Sequence, residues 1–473
     1  MTTPRPTEDA GTHEPTLRRV MGPWLLLLFI VGDILGTGIY ALTGQVANDV
    51  GGVVWLPFLV AFLVALITAF SYLELVTKYP QAAGAALYTH KAFGIQFFTF
   101  MVTFAVMCSG ITSASTASRA FASNFAEAFD WDVRTGAGIT IIGIVFMLAV
   151  AAVNFRGVSE SVKLNVVLTC VELSGLLIVI FIGMWALGVG EGDFSRAATF
   201  DTGDRSALGG VIAATTLAFY AMVGFEDSVN MAEECKDPTR IFPKVLLIGL
   251  VSTGLIYVLV SVTAVALVPI NELGEGDTPL LKVVEAGAPG FPLGIFAFIT
   301  MFAVANSALI NMLMASRLLY GMARQHVLPY ALGRVHPSRR TPYVAIGFTT
   351  VLALGLITVV GEVPQLGGTT ALLLLCVFTV VNVAVLVLRR DVVEHKHFRA
   401  PTVLPIVGAV SCAFLATPLT DRDPVQYKIA GVLLAIGVVL WFVTVAVNKR
   451  LGVKAELHPE FLGEEGVPPG PMN

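Results

Sequence analysis

The chain has 473 residues, 56% of them hydrophobic and only 13% charged, with 29 Lys and Arg against 33 Asp and Glu and a net charge of -4. An average soluble domain is about a quarter charged, so an ordinary soluble enzyme is excluded, and the small net charge offers nothing to nucleic acid. Repeated apolar stretches close to 20 residues long place most of the chain in lipid.

Residues 1–20 are polar and lead into the first apolar stretch without a small-residue cleavage site, so they read as a retained cytoplasmic tail. Twelve candidate spans follow, at about 23–46, 53–76, 93–121, 136–154, 162–187, 208–231, 245–268, 291–313, 344–360, 371–388, 403–418 and 429–447. Their lengths suit helices crossing a hydrocarbon layer about 30 Å thick. Barrel strands would be about half as long and would alternate in polarity, which these stretches do not. The expected fold is therefore an all-α polytopic membrane protein of twelve transmembrane helices.

Of the 29 basic residues, all but Arg119, Arg134, Arg196, Arg205, Lys282, Arg422 and Lys428 fall on one side of this span map. The bias puts both termini in the cytoplasm, in a plasma (inner) membrane setting. Four of the five cysteines, at 108, 170, 376 and 412, lie in spans and Cys235 in a cytoplasmic loop, so no disulfide framework is implied. The loops are short and leave no room for a soluble catalytic module. There is no phosphate loop and no zinc-type Cys/His spacing, so no cofactor or metal is expected. Function must lie among the helices.

The first span carries Gly32, Asp33, Ile34, Leu35, Gly36, Thr37, Gly38, Ile39 and Tyr40: three glycines and an acid within lipid-length sequence. Each glycine costs a helix interior about 1 kcal/mol relative to alanine, which invites local unwinding; glycines that merely permit close packing are the plainer alternative. The sixth span has a matching irregularity over 219–227, entering from the opposite side. Interrupted helices at equivalent positions of two inverted halves point to a mid-membrane binding site. A five-plus-five inverted repeat follows: residues 21–200 and 201–395, then two extra spans over 396–450 and a cytoplasmic tail over 451–473. Half-helix ends leave N–H groups for an anion and carbonyls for a cation, a combination that suits a zwitterion.

Five motifs in order resemble the amino acid–polyamine–organocation (APC) superfamily over nearly the whole chain. Gly36-Thr37-Gly38-Ile39 is similar to its glycine-x-glycine break, and Tyr72, Glu74 and Leu75 with Pro80, Gly84 and Tyr88 to its Y-x-E-L…P…G…Y stretch. Gly224-Phe225-Glu226 resembles G-F-[DE], and Glu233, Glu234, Lys236, Pro238, Arg240 and Pro243 resemble E-E-x-K-x-P-x-R-x-x-P. Ser316, Arg317, Tyr320, Met322, Ala323 and Arg324, ahead of Leu328-Pro329, resemble S-R-x-x-Y-x-M-A-R-D…L-P. The resemblance implies the leucine-transporter-like fold, with broken helices 1 and 6, working by alternating access. It implies a substrate carboxylate at the N–H groups of Gly36 to Ile39 and an amine at carbonyls near Asp33, Ile34 and Tyr220, Ala221 and Met222, beside Gly224. Where many proton-coupled members carry a lysine in span five, alignment puts Glu172, and where the first span is usually small or apolar this chain has Asp33.

Asp33 and Glu172 each stand about ten residues, roughly 15 Å, into their helices. Buried carboxylates of this kind are functional candidates, as proton carriers or as a cage for an ammonium or Na+; the structural alternatives are a helix cap for Asp33 and a protonated packing residue for Glu172. Glu226, following the second break, is either a gate or a helix-orienting residue. Asn306 and Ser307 fall where related folds place ligands of a second sodium site, and polar helix contacts are the equal alternative. Ser109, Thr112, Ser113 and Ser115 in span three either line the path or serve packing, while Arg119 takes no role and the histidines at 326, 336, 395 and 397 read as solvated surface.

The expected function is a secondary active transporter importing amino acids, proton-coupled. The alternative is an importer or exchanger of polyamines or other cationic amines, and a remote third is a membrane sensor that binds without transporting. Expected partners are a small-molecule substrate, a proton or Na+, and the lipid bilayer.

Overall fold

The computed structural model describes residues 21–81, 84–129, 136–157 and 161–452, and the side chains of 161–164, 231, 233 and 234 are not described. The predicted tail over 1–20, nearly all of that over 451–473, and the side chains of Glu233 and Glu234 therefore lie outside the described residues. The helices in order are α1 (Pro23–Ile34), α2 (Thr37–Val50), α3 (Trp55–Lys78), α4 (Gly84–Phe93), α5 (Gln96–Ala128), α6 (Gly136–Arg156), α7 (Ser161–Val189) and α8 (Ala207–Ala218). They continue with α9 (Pro238–Leu267), α10 (Ile270–Leu273), α11 (Pro279–Gly287), α12 (Leu293–Arg324), α13 (Tyr343–Val359), α14 (Val363–Leu388), α15 (Val403–Leu415) and α16 (Pro424–Leu451). Among the described residues there is no strand, only two isolated bridges, Met21 with Cys235 and Gly51 with Phe200.

Counting α1 with α2 and α8 with the turns after it as single crossings, 10 helices among the described residues are long and apolar enough to cross a membrane, and α13 and α15 are shorter apolar helices at the two remaining predicted positions. The burial of these helices sorts them into layers. The α1–α2 pair, α5 and α8 are mostly enclosed, whereas α6 and α16 are mostly exposed. Val145, Phe181, Trp185, Val432 and Phe442 are among the large apolar side chains that face outward. So much exposed apolar surface is what a lipid-facing belt requires and what water would penalise.

Local chemistry sets the ends. Helices α1, α9, α11, α14 and α16 carry proline in their first two positions, where the missing N–H has no intrahelical partner to lose. The core is built by α12 lying along α5, α5 along α14, and α9 against both α1 and α3. The third predicted span is displaced: α5 runs from Gln96 to Ala128, and Phe93 closes a separate helix, α4, which apolar run length alone does not reveal. Cys235, in the connection ahead of α9, is fully buried beside Met21, whose carbonyl accepts the Lys236 N–H at 3.2 Å.

Candidate functional site

The first apolar run stops at Ile34. Leu35 is extended (φ -64°, ψ 108°), Gly36 follows at φ -156°, and α2 starts at Thr37. The second run turns into a 3-10 segment at Phe219–Met222, opens at Val223 (ψ 150°), and resumes as a 3-10 turn over Asp227–Glu234. Both breaks thus fall where glycine density and the 219–227 irregularity predict them.

Two glycines press the breaks together. A Cβ on Gly38 would stand 2.5 Å from the Cα of Ala221, and one on Gly224 would collide with the backbone carbonyl of Asp33. Gly224 also holds φ +120°, which a side chain would strain. An aromatic group supports the second break from behind: Tyr72 meets Phe225 and Phe378 edge-on, each at 5.7 Å between ring centroids, and Phe219 and Phe378 lie 6.0 Å apart. Tyr72 of the Y-x-E-L stretch therefore packs directly on the phenylalanine of Gly224-Phe225-Glu226.

Between the breaks lies a small cavity. Its lining includes Asp33, Ile34, Gly36, Thr37, Gly38, Tyr220, Gly224 and Ser307, all of them predicted, together with Ser113, Val223, Asp227 and Asn311. The remaining predicted positions do not line it: Ile39, Ala221 and Met222 are buried in the packing around it, as are Glu172, Asn306 and Glu226. The cavity volume is about 30 Å³, space for two or so waters, so a larger ligand requires the helices to part.

The polar groups of this cavity are of three kinds. At one side the first N–H groups of α2, which have no intrahelical partner, carry the positive end of the helix dipole. Carbonyls of the breaks make the second kind, although that of Ile34 already accepts the Tyr257 hydroxyl at 2.7 Å. The carboxylates Asp33 and Asp227 make the third, and Asp33 Oδ2 has no hydrogen-bond partner among the described residues. Tyr220 is held through its hydroxyl, 3.2 Å from Ser113 Oγ, and Asn311 Nδ2 donates to the Ser307 carbonyl at 2.9 Å. Glu226 bends back so that its Oε2 accepts the Gly224 N–H at 2.9 Å, a contact that shapes the break.

Asp227 and Asn311 were legible in principle. Asp227 follows Glu226 directly, and Asn311 stands four residues after Ser307 on one helix face. Glu172 is fully buried on α7 with neither carboxylate oxygen partnered among the described residues, and its backbone carbonyl accepts the Tyr40 hydroxyl at 2.7 Å.

Two clusters frame the site. On the side where α3 ends, Arg389 grips Glu74 through Nε at 2.8 Å and Nη2 at 2.7 Å, and the Ala400 N–H adds a bond to the same carboxylate at 2.9 Å. Lys78 Nζ donates to the Leu388 carbonyl at 2.5 Å, and Tyr79 to the Asp391 carboxylate. On the other side Arg422 donates to the carbonyls of Gly368 at 2.8 Å and Leu415 at 3.2 Å, and to Gln426 Oε1 at 2.8 Å. Burial pulls this guanidinium down to about 10.

A family model described as amino acid permease matches residues 21–447. The chain is 26% identical over 458 residues to a branched-chain amino acid permease of Bacillus subtilis, covering 92% of this chain and 94% of that one. It is 26% identical to a methylthioribose transporter of the same organism, covering 93% and 96%. It is also 27% identical to cationic amino acid transporter 4 of Mus musculus, covering 81% of this chain and 62% of that one.

Proposed function

Because the chain belongs to the amino acid permease family, we propose that it is a secondary active transporter that imports amino acids by alternating access and couples uptake to protons. The observation that carries this reading is the cavity closed between two helix breaks, with the free N–H groups of α2 on one side and Asp33 and Asp227 facing it. A zwitterion satisfies both poles: its carboxylate meets Gly36 to Ile39, its ammonium meets Asp33 and the break carbonyls.

In this reading the ten long helices, α13 and α15 are twelve spans. Residues 21–200 and 201–395 are two inverted halves, and residues 396–450 add the last two spans. Both termini face the cytoplasm from the plasma membrane, as the Lys and Arg bias indicates. Asp33 or Glu172 carries the proton, Ser307 and Asn306 support the ion-coupling region, and Glu226 orients the second break.

Asp227 favours a second substrate class. Two carboxylates face one small cavity and, among the described residues, no Lys or Arg lines it, a setting that suits a ligand with excess positive charge, such as a cationic amino acid or a diamine. The test is uptake of labelled leucine, alanine, lysine and putrescine into liposomes holding the full chain, acidic outside against neutral inside, with Na+ absent. Accumulation of an amino acid that collapses with the pH gradient is the expected result. Accumulation of putrescine alone would move the assignment to amines, and no accumulation of any of them would end the transport reading.

A further inference from the structure

Helix α7 carries Asn165, Thr169 and Glu172 at spacings of four and three, so all three fall on one face. They are 4%, 0% and 0% exposed. Both side-chain atoms of Asn165, the Thr169 hydroxyl and both carboxylate oxygens of Glu172 have no hydrogen-bond partner among the described residues. Leaving one buried polar group unsatisfied costs about 1–3 kcal/mol, and five such atoms on a single face in one protein are not tolerated without a partner. The described residues offer none, and water can. Neighbours at this spacing have Cβ atoms about 5–6 Å apart, and since these side chains do not bond one another, a water between each pair can join them.

The same face changes character beyond Glu172. Its next buried positions are Gly175, Leu176 and Val179, the last two 0% exposed and apolar. Among the described residues, polar side chains therefore line it from Asn165 to Glu172. Across from it lies α1, where Gly32 leaves room for the Thr169 hydroxyl: a Cβ there would collide with that oxygen. Asp33 is the next residue and lines the cavity.

We propose that the Asn165–Thr169–Glu172 face of α7 is a hydrated half-channel that passes protons between Glu172 and the aqueous side on which α7 begins, and only that side. This rests on the proton-coupled reading above, with that side the cytoplasm. A proton on the Glu172 carboxyl passes to the first bridging water, leaving a carboxylate; that water hands one on past Thr169, and the last, beside Asn165, releases one to the cytoplasm. The titratable groups whose fields reach Glu172 are Asp33 on α1, Tyr40 on α2 and Tyr257 on α9. Of these Asp33 alone is a carboxyl, and it is the group that receives the proton from the cavity side.

The test uses Asn165→Cys and Thr169→Cys in the full-length protein, each exposed to membrane-impermeant 2-(trimethylammonium)ethyl methanethiosulfonate in inside-out and right-side-out membrane vesicles, with modified peptides read by mass spectrometry. The reagent attacks thiolate, which forms in water and is suppressed in apolar surroundings. Native Cys170, exposed on α7, is the internal reference. Both introduced cysteines should react at least about tenfold faster than Cys170, one pKa unit of thiolate character, and from the cytoplasmic side only. Reaction no faster than Cys170, or reaction from the outer side, overturns the proposal. Two positions are used so that one misfolded variant, recognised by size exclusion, leaves the other to decide. Labelling needs no substrate, so a failure of the transport reading would leave it unchanged, and a dry α7 face would leave uptake by another route measurable.

Discussion

Gly224 holds φ +120° with its Cα against the backbone carbonyl of Asp33, and Gly38 packs in the opposite sense on the backbone of Ala221. Each break is thus seated on the other, so the two are expected to move together. Gly224→Ala places a Cβ into the Asp33 carbonyl and strains the backbone; Gly38→Ala drives one into Ala221. Both should lower thermal stability in detergent by about 1–3 kcal/mol or more. Gly36→Ala makes a clean contrast, because its nearest heavy atom would be Ser307 Oγ at 3.6 Å and its backbone is extended. It should fold normally and lose uptake through a methyl group added to the cavity, measured as melting temperature against transport rate.

The Glu74–Arg389 pair is nearly enclosed, bidentate, and bonded to the Ala400 backbone. Removing one partner leaves the other charge buried, at about 3–5 kcal/mol for such pairs. Glu74→Gln and Arg389→Gln should each destabilise strongly, and the double variant should cost less than their sum. The check is a double-mutant cycle read by thermal unfolding; strict additivity would show that the pair holds nothing together.

Arg422 is a buried cation held by carbonyls of α14 and of the end of α15, with no carboxylate bonded to it among the described residues. Arg422→Ala should destabilise by about 2–4 kcal/mol, since bonds from charged groups contribute about 1.5–3 kcal/mol each and the carbonyls lose their donor. Its folded pKa, about 10, lies below the unfolded value. The unfolded chain therefore binds more protons at Arg422 above that point, and the contribution of Arg422 to stability should be flat through neutral pH and rise only above about 10. Loss of stability on going from neutral to mildly alkaline pH in the wild type, absent in Arg422→Ala, would contradict this sign.

The breaks were readable because glycine beside a buried acid is costly in a membrane helix, and Gly36, Thr37 and Gly38 carry that cost in plain view. The spans were readable because lipid demands long apolar runs. Helix α4 was not, because a ten-residue segment containing His90 and Lys91 has no spanning length to betray it. Glu74 was visible as a motif letter, but its role was not. Its partner Arg389 lies 315 positions away, and only the fold joins them. Ile39, Ala221 and Met222 were assigned to the cavity through neighbouring backbone, which says nothing about where the side chains point.

Asp227 sets the expected charge selectivity of the cavity. Asp227→Asn keeps the shape and removes one negative charge. Competition by lysine or putrescine against the transported substrate should weaken by roughly 10–100-fold, the size of a charged hydrogen bond at about 1.5–3 kcal/mol, while leucine should change little. Equal weakening of leucine and lysine would mean that Asp227 shapes the second break and does not sense ligand charge.

Glu172 bonds to Tyr40 through its backbone carbonyl, so Glu172→Gln leaves that contact with α2 in place and changes only the carboxyl. An ionised carboxylate this deep in a membrane protein is expensive, which makes a proton the economical partner for it. If Glu172 carries the coupling proton, the Gln variant should keep substrate counterflow, which needs no net proton movement, yet lose gradient-driven accumulation. The expected loss is roughly 5–150-fold, the range of a coupling free energy of about 1–3 kcal/mol. Both assays run on the same liposomes, so protein amount cancels. Equal loss in both would assign Glu172 to helix positioning and leave Asp33 as the proton carrier, whereas full retention of accumulation would remove Glu172 from the coupling cycle altogether.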